Sequence, residues 1–163
     1  MRPAYRHCVG TLLVALAPIA LVAGCGSAYS KSDFVARADA VCTTAVRQLR
    51  SIPPPATATA VAPESGALAA YLGAVVPVVQ SELSSLQSLR RPANEAGSHS
   101  ALARWLAAFA QALQDYRGLE AAAQRGDPDA ISSALAALQG NPVAALAAGY
   151  GLSSCATASA TIR

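Results

Sequence analysis

Residues 98–128, SHSALARWLAAFAQALQDYRGLEAAAQRGDP, decide the fold class. Leu102, Trp105, Leu106, Phe109, Leu113, Tyr116 and Ala123 recur at steps of three and four, the spacing of one face of an α-helix. The spacing predicts a helix over 98–125. Gly126, Asp127 and Pro128 then form a stop followed by a start: a glycine past one helix end, an aspartate N-cap, and a proline at the first position of the next helix. So short a turn makes the two helices antiparallel neighbours.

The same pattern extends in both directions. Over 29–51, Ser30 and Asp33 resemble a capping box, and Phe34, Ala38, Cys42, Ala45 and Leu49 form an apolar stripe that ends at Pro53, Pro54 and Pro55. Over 64–91, Leu68, Leu72, Val75, Val79, Leu83, Leu86 and Leu89 step by three and four, with Pro77 inside the run and a kink expected near Gly73. After Pro128, Ile131, Leu135 and Leu138 continue to a break at Gly140-Asn141-Pro142, and the helix resumes to about Ala148. No segment alternates apolar and polar residues long enough to make a strand. The expected fold is all-α: an up-down-up-down four-helix bundle, with helix 2 kinked at Pro77 and helix 4 broken near 140–142.

The N-terminus carries a different kind of signal. Arg2 and Arg6 precede an apolar run over 11–23, too short for the roughly 20 residues of a membrane span and suited to a secretory leader. The run ends in Leu21-Val22-Ala23-Gly24-Cys25, followed by Gly26 and Ser27. This resembles the lipobox of bacterial lipoproteins, in which small residues let a peptidase hold an extended backbone and the next thiol carries diacylglycerol as a thioether. An ordinary secretory cut lying near a cysteine is the plainer alternative. The resulting division is a leader over 1–24, a lipidated tether over 25–31, a bundle over 32–157 and a tail over 158–163. The leader takes Cys8 and the anchor takes Cys25. Cys42 and Cys155 remain, and an even pair in an oxidising compartment reads as a disulfide, the alternative being two separate buried thiols. Such a bond closes a loop of about 113 residues, for which the chain-entropy value is ~4.7 kcal/mol as an upper figure.

These residues resemble a family of small secreted or lipid-anchored proteins common in actinobacteria. The resemblance is carried by Phe34, the run Ala38-Asp39-Ala40-Val41-Cys42, the prolines at 53–55, Leu89 with Pro92, Trp105, Gly126-Asp127, and the ending Tyr150-Gly151-Leu152-Ser153-Ser154-Cys155-Ala156. It implies a helical bundle with a Cys42–Cys155 bond, and it carries over no catalytic residue.

Composition narrows the chemistry. The chain has 163 residues, with 12 basic against 9 acidic and a net charge of +3. Without the arginines of the leader the balance is near neutral, and the clustered basic stripe of a nucleic-acid protein is missing. His99 is the one histidine after the leader, which leaves no paired metal-ligand spacing, and neither a phosphate-binding glycine loop nor a Ser/His/Asp set can be read. Glu120 falls near the centre of the 98–125 stripe at 100° per residue, at the end of the bundle expected to hold Arg47 and Arg50. A structural salt bridge, or a carboxylate that binds a ligand, is therefore expected from Glu120, Arg47 and Arg50. Trp105, Tyr116 and Tyr71 sit at core spacing, and His99 is expected in an exposed loop.

The expected function is that of a non-enzymatic lipoprotein on the outer face of the cytoplasmic membrane, a binding or interaction module of the cell envelope. Its expected partners are membrane lipid through Cys25 and an envelope protein through the 52–63 loop. No nucleic acid, metal or cofactor is expected. The alternative is a carrier of an apolar ligand, lipid or haem, held in an interhelical cavity near Pro77.

Overall fold

Ser30 starts the first helix. Its Oγ accepts the Asp33 amide at 3.1 Å, and the Asp33 carboxylate accepts the Ser30 amide at 2.9 Å. This reciprocal pair satisfies two amides that a helix start otherwise leaves unpaired, and the Ser30 hydroxyl and amide, both donating to the Asp33 carboxylate, hold its carboxyl below the ordinary range. The computed structural model describes residues 29–55 and 65–161. In it α1 spans Lys31–Arg50 and buries Phe34, Ala38, Cys42, Ala45 and Leu49, the stripe read from spacing. The chain stops being helical at Ser51, just before the prolines.

The second helix, α2, spans Ser65–Ser88 and runs through Pro77 as one element, with the proline exposed. A 3₁₀ turn at Ala93–Glu95 leads to α3, Ala101–Arg125. Ser100 caps α3 by accepting the Ala103 amide at 3.1 Å. Gly126 ends α3 at φ 64°, a left-handed conformation that a side chain disfavours. Asp127 then accepts the Ala130 amide at 3.0 Å and starts α4, Pro128–Gly140. The stop-and-start read from Gly126-Asp127-Pro128 is therefore present.

The expected break of the fourth helix is present as well, at Asn141-Pro142, and α5 continues over Val143–Tyr150. Asn141 is buried and bridges the gap. Its Oδ1 accepts the Val143 amide at 2.9 Å, and its Nδ2 donates to the Ala108 carbonyl of α3 at 3.1 Å. Gly151, at φ 100°, turns the chain into a further helix, α6, over Ser153–Thr161.

The sequence reading did not foresee α6. The expected tail over 158–163 is instead partly helical: α6 runs beyond 157, and Ala158 is buried. A nine-residue piece that is serine, alanine and threonine apart from Cys155 is too short and too weakly patterned to be helical by itself. Its start is instead capped from α1: the Asp39 carboxylate accepts the Ser154 amide at 3.0 Å and the Ser153 hydroxyl at 3.2 Å. One residue on, Cys155 is bonded to Cys42 with their Cα atoms 5.0 Å apart.

The helices form a closed ring. α1 packs on α2 and α6, α2 on α3, α3 on α5, and α5 on α6, while α4 lies against α3. Gly126 meets Ser65, and Phe34 and Lys31 of α1 meet Tyr150. The expected up-down-up-down bundle thus acquires a fifth member, because α6 runs back up beside α1 and fills the seam between α1 and α5. Trp105, Phe34, Leu72, Leu86, Leu102 and Leu152 are its fully buried large side chains.

Two changes separate the two ties on α6. Cys155→Ala should lower unfolding free energy by about 2–4 kcal/mol, and Asp39→Ala by about 1 kcal/mol, both measured in urea. Amide exchange over 153–159 should rise in each variant before the rest of the bundle opens. Unchanged protection there would mean that neither tie holds α6.

Candidate functional site

Cys25, the leader over 1–24 and the linker over 56–63 lie outside the described residues. Of the 52–63 loop the structure describes Ile52 and three prolines, with Pro53 and Pro54 exposed. Cys42 and Cys155 form the disulfide read from the cysteine count. His99 is exposed in a turn, and Trp105 and Tyr116 belong to the core.

The expected grouping of Glu120 with Arg47 and Arg50 does not form. Glu120 lies on α3 and the arginines on α1, and these two helices stand diagonally in the ring, with their backbones nowhere adjacent. Glu120 lies over the bare backbone of Gly73, where an added Cβ would stand 3.6 Å from its Oε1, and accepts a long hydrogen bond from Gln124 at 3.4 Å. Arg47 and Arg50 instead border a groove between α1 and α6, with Ser153, Ser154 and Thr157 on its other wall. A helical wheel gives a residue's angle on its own helix, and it does not say which neighbour occupies that side.

The acid that the fold does bury is Glu82, 4% exposed and midway along α2. It stands in the seam of Val75, Val79 and Leu86, all buried, so the three-and-four stepping passes through it. The same wheel that selected Glu120 selects Glu82 when applied to α2. The flanking serines at 81, 84 and 85 made it resemble an exposed face. Among the described residues no hydrogen bond or ion pair reaches its carboxyl. Burial alone pushes its pKa up to about 8, because a carboxylate loses its hydration there without gaining a counter-charge. At neutral pH the side chain is mainly the neutral acid.

Glu82 borders two spaces. On the inner side is a cavity of about 20 Å³ between α2, α3, the α4–α5 break and α6, with Phe109, Tyr116, Leu138 and Asn141 around it. That is room for about one water. On the outer side is a groove of about 340 Å³ between α1 and α2, walled by Ala40, Thr44 and Gln48 from α1 and by Ser81 and Ser85 from α2. No group of three or more His, Cys, Asp or Glu side chains that could hold a metal is found among the described residues.

Two further surfaces are shaped differently. Beside Pro77 the space is an open groove of about 390 Å³ bordered by Gln48, Ile52 and Val78. At the end where Ser65 meets Gly126, an apolar groove of about 580 Å³ is formed by Leu68, Ile131 and Leu135, the last 41% exposed. Against known protein families, curated proteins and solved structures the chain finds no match.

The buried acid has a signature in stability. Folding raises the Glu82 pKa from 4.5 to about 8, so its contribution is fully present below about pH 4.5 and is lost as pH rises towards 8. At roughly 1.4 kcal/mol per unit, the full loss is on the order of 5 kcal/mol. Glu82→Gln should match the parent protein in urea near pH 5 and exceed it by a few kcal/mol near pH 8.5. Parallel stability–pH curves for the two proteins would show that the carboxyl is hydrated.

Proposed function

We propose that this chain is a bacterial lipoprotein, held by a lipidated Cys25 on the outer face of the cytoplasmic membrane, and that it serves the cell envelope as a non-enzymatic binding or interaction module. The observation that carries the reading is the run Leu21-Val22-Ala23-Gly24-Cys25 after a basic, apolar leader. The resemblance to lipid-anchored actinobacterial proteins points the same way.

Two structural features support it. A long-range disulfide suits a compartment outside the cytoplasm. The bundle also begins six residues after Cys25, at Lys31, so an anchored chain has about 20 Å of slack at most. With Cys25 in the bilayer, the end bearing Lys31, Tyr150 and the 3₁₀ turn would face the membrane. The opposite end then projects outward. There α1 stops with Ile52 beside Ala74, while α2 starts nine residues further out, ~14 Å along its axis. The first turns of α2, the end of α3 and the start of α4 form that projecting end, together with the apolar groove of Leu68, Ile131 and Leu135. The 52–63 loop enters the same end, where an envelope protein would be met.

The alternative, a carrier of lipid or haem, calls for an enclosed apolar cavity of several hundred Å³. Among the described residues the inner cavity is about 20 Å³ and the space beside Pro77 is open, so the geometry favours the interaction module.

Replacing Cys25 by Ala should move the protein from the membrane fraction to the soluble extracytoplasmic fraction, and mass spectrometry of the parent protein should find a diacylglycerol thioether on its first residue. Membrane partitioning that is unchanged by the substitution would refute the anchor. Replacing 53–62 by Gly and Ser should abolish crosslinks to an envelope partner while leaving partitioning intact.

A further inference from the structure

A groove whose floor is an acid with no partner calls for a specific kind of guest. The walls of the α1–α2 groove are rich in hydrogen-bond acceptors. Thr44 spends its hydroxyl proton on the Ala40 carbonyl at 3.0 Å, so its remaining lone pairs are free to accept. Ser81 and Ser85 add two hydroxyls from the opposite wall. Ala40, Val41 and Ala45 supply short apolar surface between them. Among the described residues no Lys or Arg borders either the groove or the inner cavity, and the one titratable side chain bordering them besides Glu82 is Tyr116, on the inner side. From the α4–α5 break the facing polar group is the Asn141 amide, already held by Ala108 and Val143. Glu82 is therefore a latent negative charge that nothing in the described fold neutralises.

A metal ion does not fit, since a single carboxylate is far from the ligand set that a hard cation needs. An organic ammonium does. It brings the positive charge that a buried carboxylate lacks, together with N–H donors for a ring of hydroxyl acceptors, and its apolar part can lie along Ala40, Val41 and Ala45. We infer that the α1–α2 groove is a binding site for a small primary amine, with the Glu82 carboxylate as the counter-ion at its floor and Thr44, Ser81 and Ser85 as acceptors around the ammonium. On binding, the Glu82 proton leaves to solvent and the ammonium takes its place, so charge is conserved within the site. The groove volume of about 340 Å³ is at the low end for small-molecule sites, which suits a short amine. This goes beyond the anchoring reading and does not rest on it, because neither Cys25 nor residues 52–63 take part.

The test uses the full chain labelled with carboxyl-¹³C glutamate, which reports on only four side chains. At pH 7, n-butylammonium should drive the Glu82 resonance from the neutral to the ionised position, saturating at low millimolar levels, about 1–10 mM. Butanol, with the same apolar body, and butyrate, with the opposite charge, should leave it unmoved. Ser85→Leu, which fills the groove from its outer wall and keeps Glu82, should weaken the response about tenfold or more. The proposal is overturned by a Glu82 signal that ignores butylammonium, by one that moves equally with butanol, or by a response that Ser85→Leu leaves intact.

Discussion

The bond between Cys42 and Cys155 is the constraint on which the rest of the structure depends. It joins the middle of the first helix to a segment 113 residues later and so turns a row of helices into a ring. Without it, α6 is a short run of serine, alanine and threonine with little reason to be ordered. With it, the Asp39 carboxylate meets the amide of Ser154 and the hydroxyl of Ser153, and α6 seals the seam between α1 and α5. The tie matters more here than in a richer core. The chain has 40 alanines among its 163 residues, and an alanine buries little apolar area at roughly 25 cal/mol per Å².

The polar groups inside this core divide into two kinds. Asn141 is fully used: it accepts from Val143, donates to Ala108, and holds together a helix that Pro142 interrupts. Glu82 is not used in this way. It lies in an apolar seam, reached by no described donor, and the fold accommodates it as a neutral acid. A buried acid without a partner opposes stability at neutral pH, which is the physical ground for reading it as a site and not as scaffold.

Most of the helices were legible in the sequence because their information is local. The stripe of α1, the left-handed Gly126, the Asp127 cap with Pro128 behind it, and the break at Asn141-Pro142 each depend on residues within a few positions of one another. What was missed depends on a neighbour. Glu120 was grouped with Arg47 and Arg50 from their height along the bundle, but α1 and α3 stand diagonally and their backbones are nowhere adjacent. Residues 153–161 carry no periodic apolar stripe, so the helix they form was invisible. Glu82 sits beside Leu83 of the α2 stripe among serines at 81, 84 and 85, and its burial comes from the helices that pack around it.

The sequence by itself determined the helices from α1 to α5, their order and the pairing of Cys42 with Cys155, since propensity, capping and spacing act over one or two turns. Only the tertiary structure decided that α6 exists, that α1 and α3 stand diagonally, and that Glu82 is buried beside a small cavity and an acceptor-lined groove. Those outcomes depend on which helix faces which, and that is set by packing and by a covalent tie across 113 residues.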